Sequence, residues 1–334
     1  MVNAPYITKI IAHTWHTLLL VWALLLVGGC QPQQRLASDA SASAPLQVVA
    51  TFFPVADFVR QVGGEHVQVR ILLPPDSDLH AFAPTVQQMK MLQEADAVFA
   101  LGLEAEPFLP PLLRALGQGQ PRIFQISEGC DTLPADTHHQ HAHEHHHEHS
   151  HHEHHHHEHE EGETGVDPHV WLSLRNAEHM VRNVAQALGE LDPTHRKEYE
   201  RNAREVVQEL RALQAELRAR SRGWKQRKFI ATHGAYRYLA EEAGLEQVAV
   251  FEPLPGVEPS ARWLRRLIDT ARREQVRVIF AAPPASSRLV DVVAADLGVP
   301  VFLLDPLERV FSESSASYQQ RMRKNIEVLD AAMR

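Results

Sequence analysis

The sequence predicts an α/β fold of two (β/α)4 lobes with parallel sheets, joined by a long rigid helix. Two observations carry that expectation. Short apolar runs alternate with helical patterns, four runs before the middle of the chain and four after it, which is how a helix-covered parallel sheet reads. The middle is helical by period and carries no strand pattern. The length agrees: 334 residues, 44% of them apolar, make about two domains.

The first segment, residues 1–29, reads as an export signal. Lys9 is its only unambiguous charge, an apolar run follows from Leu18 to Val27, and Gly28-Gly29 precede Cys30. Ten apolar residues are short of the roughly 20 that a membrane span needs. Small residues directly before a cysteine resemble a bacterial lipobox, with Val27 where Leu is commonest, so cleavage before Cys30 and lipidation of its thiol are expected. An uncleaved anchor or an ordinary signal with an incidental cysteine is the alternative. Residues 30–46 are polar, small and Pro-bounded, as a flexible tether would be.

Residues 47–175 form the expected N-terminal lobe. Its strands are read at Gln47–Ala50, Val67–Leu73, Ala97–Leu101 and Arg122–Ile126, with helices at Ala56–Val62, Thr85–Glu94 and Glu106–Leu116. Residues 176–222 are the helical linker, with helices Asn176–Gly189 and Thr194–Arg220 broken at Leu191-Asp192-Pro193. Asp192 is the expected N-cap of the second. Leu210, Leu213 and Leu217 share one face of that helix, which is either a surface helix of one lobe or a strut between two. Lobe-like patterns on both sides favour the strut. Residues 223–334 form the C-terminal lobe, with strands Lys228–Ala231, Gln247–Phe251, Arg277–Phe280 and Val301–Leu304. Its helices are read at Tyr236–Ala243, Ser260–Glu274 and Ser287–Leu297.

Several function classes drop out on composition. A net charge of −9 argues against nucleic acid as the partner. Two cysteines cannot staple a disulfide scaffold. Three histidines with an open metal position would suit a zinc hydrolase, but outside the histidine-rich stretch at 138–159 no HExxH or similar helix motif supplies a base.

The unusual number is 23 histidines. Fifteen lie in one 22-residue tract: His138, His139, His141, His143, His145, His146, His147, His149, His151, His152, His154, His155, His156, His157 and His159. Glutamates interleave them, nothing there builds a core, and a disordered loop spanning 136–164 with many weak metal sites is expected. His13 and His16 leave with the signal, and His66, His179 and His195 read as structural or solvated. Three remain, each at a strand end or in a strand-to-helix loop: His80, His169 and His233. Asp305 ends the last strand. In parallel α/β sheets ligands bind at the carboxyl ends of strands, and three imidazoles with one carboxylate match four-coordinate Zn²⁺.

These residues carry a resemblance. LHAFAPT (79–85), LGLEAEPFL (101–109), DPHVWL (167–172), ATHGAYRYLAEEAGL (231–245), EPLPGVEPS (252–260) and FLLDPL (302–307) stand in the order and separation of one family. The chain resembles the zinc/manganese branch of the periplasmic solute-binding lipoproteins of bacterial ABC importers, the metal-specific cluster A-I family, over residues 47–330. The resemblance implies two lobes on one long helix with the metal between them. It places the first three ligands on His80, His169 and His233 and the variable fourth on Asp305. It also implies a His-rich insertion before the second ligand, as zinc members have. Three departures stand out. Ser173 replaces the aspartate of a usual WLDP, no acid follows the third C-terminal strand in Phe280-Ala-Ala-Pro-Pro284, and Leu79 precedes His80 where Glu or Pro is common. Asp78 or a water is the alternative fourth ligand.

The expected function is therefore extracytoplasmic, high-affinity capture of Zn²⁺ and its delivery to an ABC permease subunit, by a lipid-anchored monomer that is not an enzyme. Zn²⁺ is the cargo, not a catalytic cofactor. Manganese or broad divalent-metal binding, or a zinc buffer or adhesin using the tract, are the alternatives.

Overall fold

Eight short β-strands fall into two four-stranded sheets, and every pairing in both is parallel. The computed structural model describes residues 44–117, 119–135, 165–252, 259–283, 288–309 and 315–334. The expected signal, Cys30 and the His-rich tract lie outside the described residues. Residues 45–334 form one compact unit.

The N-terminal sheet runs β2-β1-β3-β4, from β1 (Leu46–Ala50), β2 (Val67–Ile71), β3 (Ala97–Ala100) and β4 (Arg122–Gln125). The C-terminal sheet repeats the order as β6-β5-β7-β8, from β5 (Lys228–Ala231), β6 (Glu246–Val250), β7 (Ile279–Ala281) and β8 (Val301–Leu303). All four residues of β3 and all three of β7 are buried, which is why both read as unbroken apolar runs.

The helices begin and end where local chemistry directs. α1 (Phe53–Gly63) starts with Pro54 in its first turn, and Gly64 leaves it at φ +55°. A Cβ on Gly63 would stand 2.5 Å from a Val67 methyl, so glycine lets β2 begin at once. Thr85 and Gln88 form a capping box on α2 (Val86–Gln93). α3 (Leu109–Leu116) starts three residues later than expected, because Leu103 and Glu104 take positive φ and Glu106 lies in the turn.

α4 (Leu174–Leu191) and α5 (Arg196–Ser221) are the linking pair. The 26 residues of α5 extend about 39 Å at 1.5 Å per residue. α5 packs lengthwise on α4 and also meets α1, while Leu210, Leu213 and Leu217 are buried as expected. Asp192 is not its N-cap. It ends α4, and its carboxylate accepts from Thr194 N, His195 Nδ1 and the Tyr199 hydroxyl. α6 (Arg237–Ala243), α7 (Ala261–Arg273) and α8 (Arg288–Leu297) cover the C-terminal sheet.

A last helix, α9 (Tyr318–Met333), was not expected. Ser317 and Gln320 cap it, and Tyr318, Met322, Ile326, Leu329 and Met333 bury one face against α5 and α1. One apolar core consequently runs through the N-terminal lobe, α4, α5, α9 and the inner part of the C-terminal lobe. A smaller core, with Ile230, Leu267, Ile279 and Val293, lies on the C-terminal sheet.

Candidate metal centre

His80, His169 and His233 converge at the carboxyl ends of the two sheets. Their ring centroids are 5.3–5.9 Å apart. The carboxylate that joins them is Glu308, not Asp305. Ligand atoms from the four residues all lie within 4.8 Å of one another, the only such cluster among the described residues. Glu308 Oε1 stands 2.9 Å from His233 Nε2, 3.5 Å from His169 Nε2 and 3.9 Å from His80 Nε2.

The displacement of Asp305 has a physical cause. Its Oδ1 accepts from Leu307 N at 2.8 Å, closing a turn through Pro306. Both its oxygens also accept from the Arg321 guanidinium, at 2.7 and 2.8 Å. Leu307 then takes φ +61° while fully buried, and Glu308 follows into the cleft. Asp305 is thus the scaffold that presents Glu308. Asp78 is likewise committed elsewhere: Oδ1 accepts from His80 N and Ala81 N, and Oδ2 pairs with Arg309 at 2.7 Å.

Each imidazole arrives on a short connection. His233 follows β5 and precedes α6, and His80 lies in the turns between β2 and α2. His169 stands before a single helical turn, Val170–Leu172. Its Nδ1 donates to Asp167 Oδ1 at 2.7 Å, which fixes the tautomer and turns Nε2 toward Glu308. Trp171, fully buried, donates from Nε1 to Pro306 O and so ties the His169 segment to the Glu308 segment.

The electrostatics of the cluster suit a cation. His80 Nε2 and His169 Nε2 are buried without a hydrogen-bond partner, a costly state unless a ligand pairs them. Burial pushes His80 below its ordinary value. Burial also opposes charge on His169, but the hydrogen bond to Asp167 and the nearby Glu308 carboxylate outweigh it and push this ring up to about 9. Burial would raise Glu308, yet the imidazoles of His233 and His169 hold it well below the carboxylate range. A carboxylate kept ionised among imidazoles offers three nitrogens and one oxygen, the donor set of tetrahedral Zn²⁺.

The departure at Ser173 is accommodated. Its hydroxyl caps α4 by accepting from Asn176 N, and it donates to Glu242 Oε1 at 2.7 Å. His66 and His195 stack with centroids 3.7 Å apart, outside the cluster. Burial pushes the Cys130 thiol up to about 12.

Comparisons with known proteins point the same way. Residues 48–332 match the family model described as zinc-uptake complex component A, periplasmic. The chain is 31% identical over 320 residues to the high-affinity zinc uptake system protein ZnuA of Bacillus subtilis, covering 94% of this chain and 96% of that protein. The zinc-bound ZnuA-like domain of AdcA from Streptococcus pneumoniae superposes with a TM-score of 0.70 at 26% identity, over 87% of this chain and 99% of that one. The solute-binding protein FpvC of Pseudomonas aeruginosa, solved with Mn²⁺, gives 0.73 at 27%, over 86% and 98%.

Proposed function

The chain belongs to the family of periplasmic component A proteins of zinc-uptake complexes, and from that premise we propose that it captures Zn²⁺ outside the cytoplasm and delivers it to an ABC permease. One observation carries the reading: two buried imidazole nitrogens without hydrogen-bond partners face a third imidazole and an ionised carboxylate within 4.8 Å. In this reading His80, His169, His233 and Glu308 are the ligands. The metal is cargo, and the protein is a carrier, not a catalyst.

The chemistry selects zinc among the family's metals. Three nitrogens and one oxygen favour Zn²⁺ over Mn²⁺ by the Irving–Williams order and by imidazole preference, whereas Mn²⁺ suits oxygen-rich octahedra. Competitive titration of the two ions tests this. Zn²⁺ is expected to bind tighter by at least about 100-fold, roughly 2.7 kcal/mol. Equal affinities would overturn the zinc assignment in favour of manganese or broad divalent binding.

The remaining parts of the reading concern residues outside the cleft. Cys30 is the lipid attachment point, residues 30–46 the tether, and the protein acts as a monomer. Lobes 47–175 and 223–334 flank the linker 176–222. The histidines of 138–159 bind further Zn²⁺ weakly. Deleting 138–159 should remove weak sites and leave one tight site; loss of the tight site would contradict that division.

A further inference from the structure

The segment that carries His169 belongs to the N-terminal lobe, yet the residues that hold it come from α6 of the other lobe. Asp167, whose carboxylate orients the His169 ring, makes no idle contact. Oδ1 accepts from His169 N at 3.1 Å and from His169 Nδ1 at 2.7 Å. Oδ2 lies 3.4 Å from Arg237 Nη1, and the carbonyl accepts from the Tyr238 hydroxyl at 2.6 Å. The amide donates to Leu133 O at 2.9 Å.

The same two α6 side chains grip the chain on the other side of the His-rich insertion. Arg237 Nη1 donates to Pro134 O at 2.6 Å, and the Tyr238 hydroxyl accepts from Leu133 N at 2.9 Å. Between these points the two flanks pair antiparallel, Pro134 against Val166, with Ala135 N donating to Gly165 O at 2.7 Å. One turn further along α6, Glu242 accepts from the Ser173 hydroxyl, Leu174 N and Arg175 N. α6 itself begins four residues after the ligand His233.

We propose that Arg237 and Tyr238 are positioning residues for metal capture, clamping Asp167 from the opposite lobe so that His169 Nε2 is delivered to the metal. An outer carboxylate or carbonyl that fixes a ligand imidazole ordinarily governs affinity by about 10–100-fold. Here that outer layer is shared between lobes. Asp167 sets the ring, and Arg237 and Tyr238 set Asp167. Moving α6 away removes both grips together and frees the His169 ring to turn. Two side chains that do not touch the metal thereby govern how firmly it is held.

The inference rests on the zinc-site reading, so His233→Ala is measured beside the test variants. In the full chain loaded with one equivalent of metal, Arg237→Gln and Tyr238→Phe are expected to raise the zinc dissociation rate in a chelator chase by about 10–100-fold. Both should also alter the visible absorption of the Co²⁺-loaded protein, which reports ligand geometry. Arg237→Lys, which keeps the charge but not the planar fork, should recover part of the effect, and Glu241→Gln, on the exposed face of α6, should resemble wild type. Dissociation rates within twofold of wild type and an unchanged cobalt spectrum in both variants would overturn the clamp. So would faster dissociation that appears only with equal loss of metal-free thermal stability and no spectral change. Wild-type binding in His233→Ala would instead overturn the site reading itself.

Discussion

The two lobes repeat one sheet order but hold the ends of their strands by different means. At the end of β1, the Thr51 hydroxyl donates to the buried Glu106, which also accepts from Leu101 N and Gly102 N just after β3. At the matching place after β5, the Thr232 hydroxyl itself accepts from Ala282 N just after β7. The N-terminal lobe gathers its loops on a carboxylate, and the C-terminal lobe on a hydroxyl. The C-terminal lobe places its scaffold carboxylate, Asp305, one strand further on and follows it with a second acid, Glu308. What each of these three acids faces separates them. Glu106 faces neutral donors, Asp305 a guanidinium, and Glu308 three imidazoles.

The largest expected effect separates Glu308 from Asp305. Glu308→Ala should weaken Zn²⁺ binding by more than about 100-fold, or about 2.7 kcal/mol, because on the proposed site it removes the one charged ligand. Asp305→Asn should leave affinity within about tenfold of wild type. Its cost should fall on folding, about 3 kcal/mol in denaturant unfolding of the metal-free protein, because it breaks a pair with the buried Arg321. A larger affinity loss in Asp305→Asn than in Glu308→Ala would reverse the two roles.

The next effect is smaller and separates metal from proton. His169 is pushed up to about 9 without metal, so Zn²⁺ must displace a proton from Nε2 over the neutral range. Affinity should rise roughly tenfold per pH unit until about 9 from this group. The stability of the metal-free protein moves the other way. A raised folded value contributes stability that is full below the ordinary 6.5 and lost as pH rises through about 9. Binding isotherms and metal-free melting curves across this range should therefore slope oppositely. A pH-independent affinity would show that the proton on His169 is not displaced.

How much of this was legible without coordinates follows from local chemistry. The two-lobe fold was readable because buried parallel strands are continuous apolar runs, and all eight appear within two residues of where the pattern puts them. The three histidines were readable because each sits at a strand end or in a strand-to-helix connection. Glu308 was missed because an acid directly at a strand end is the natural first choice. The missed signal was the Asp-Pro pair at 305–306, which marks a turn that engages the first acid and carries the chain on to the next. α9 had a readable Ser317–Gln320 capping box and an apolar repeat from Tyr318 to Met333. The grip of α6 on Asp167 was beyond pattern, since Arg237 and Asp167 stand 70 residues apart in the chain.

The smallest expected effect tests the comparison where it is most exposed, in the two buried glutamates. Burial raises Glu106, and the hydroxyl and amides around it only partly offset that, because neutral donors compensate less than charges do. Its contribution to stability is full below the ordinary 4.5 and declines as pH rises through the raised folded value. Glu308 is held low by imidazoles, so its contribution is present above 4.5 and declines as pH falls. Glutamine removes titration at either position. Melting of the metal-free variants should then give differences of opposite slope, above pH 4.5 for Glu106 and below it for Glu308. Wild type loses ground to Glu106→Gln as pH rises, and loses ground to Glu308→Gln as pH falls. The same slope at both positions would mean that the two glutamates share one environment, and that the distinction between scaffold and ligand does not lie in what each carboxylate faces.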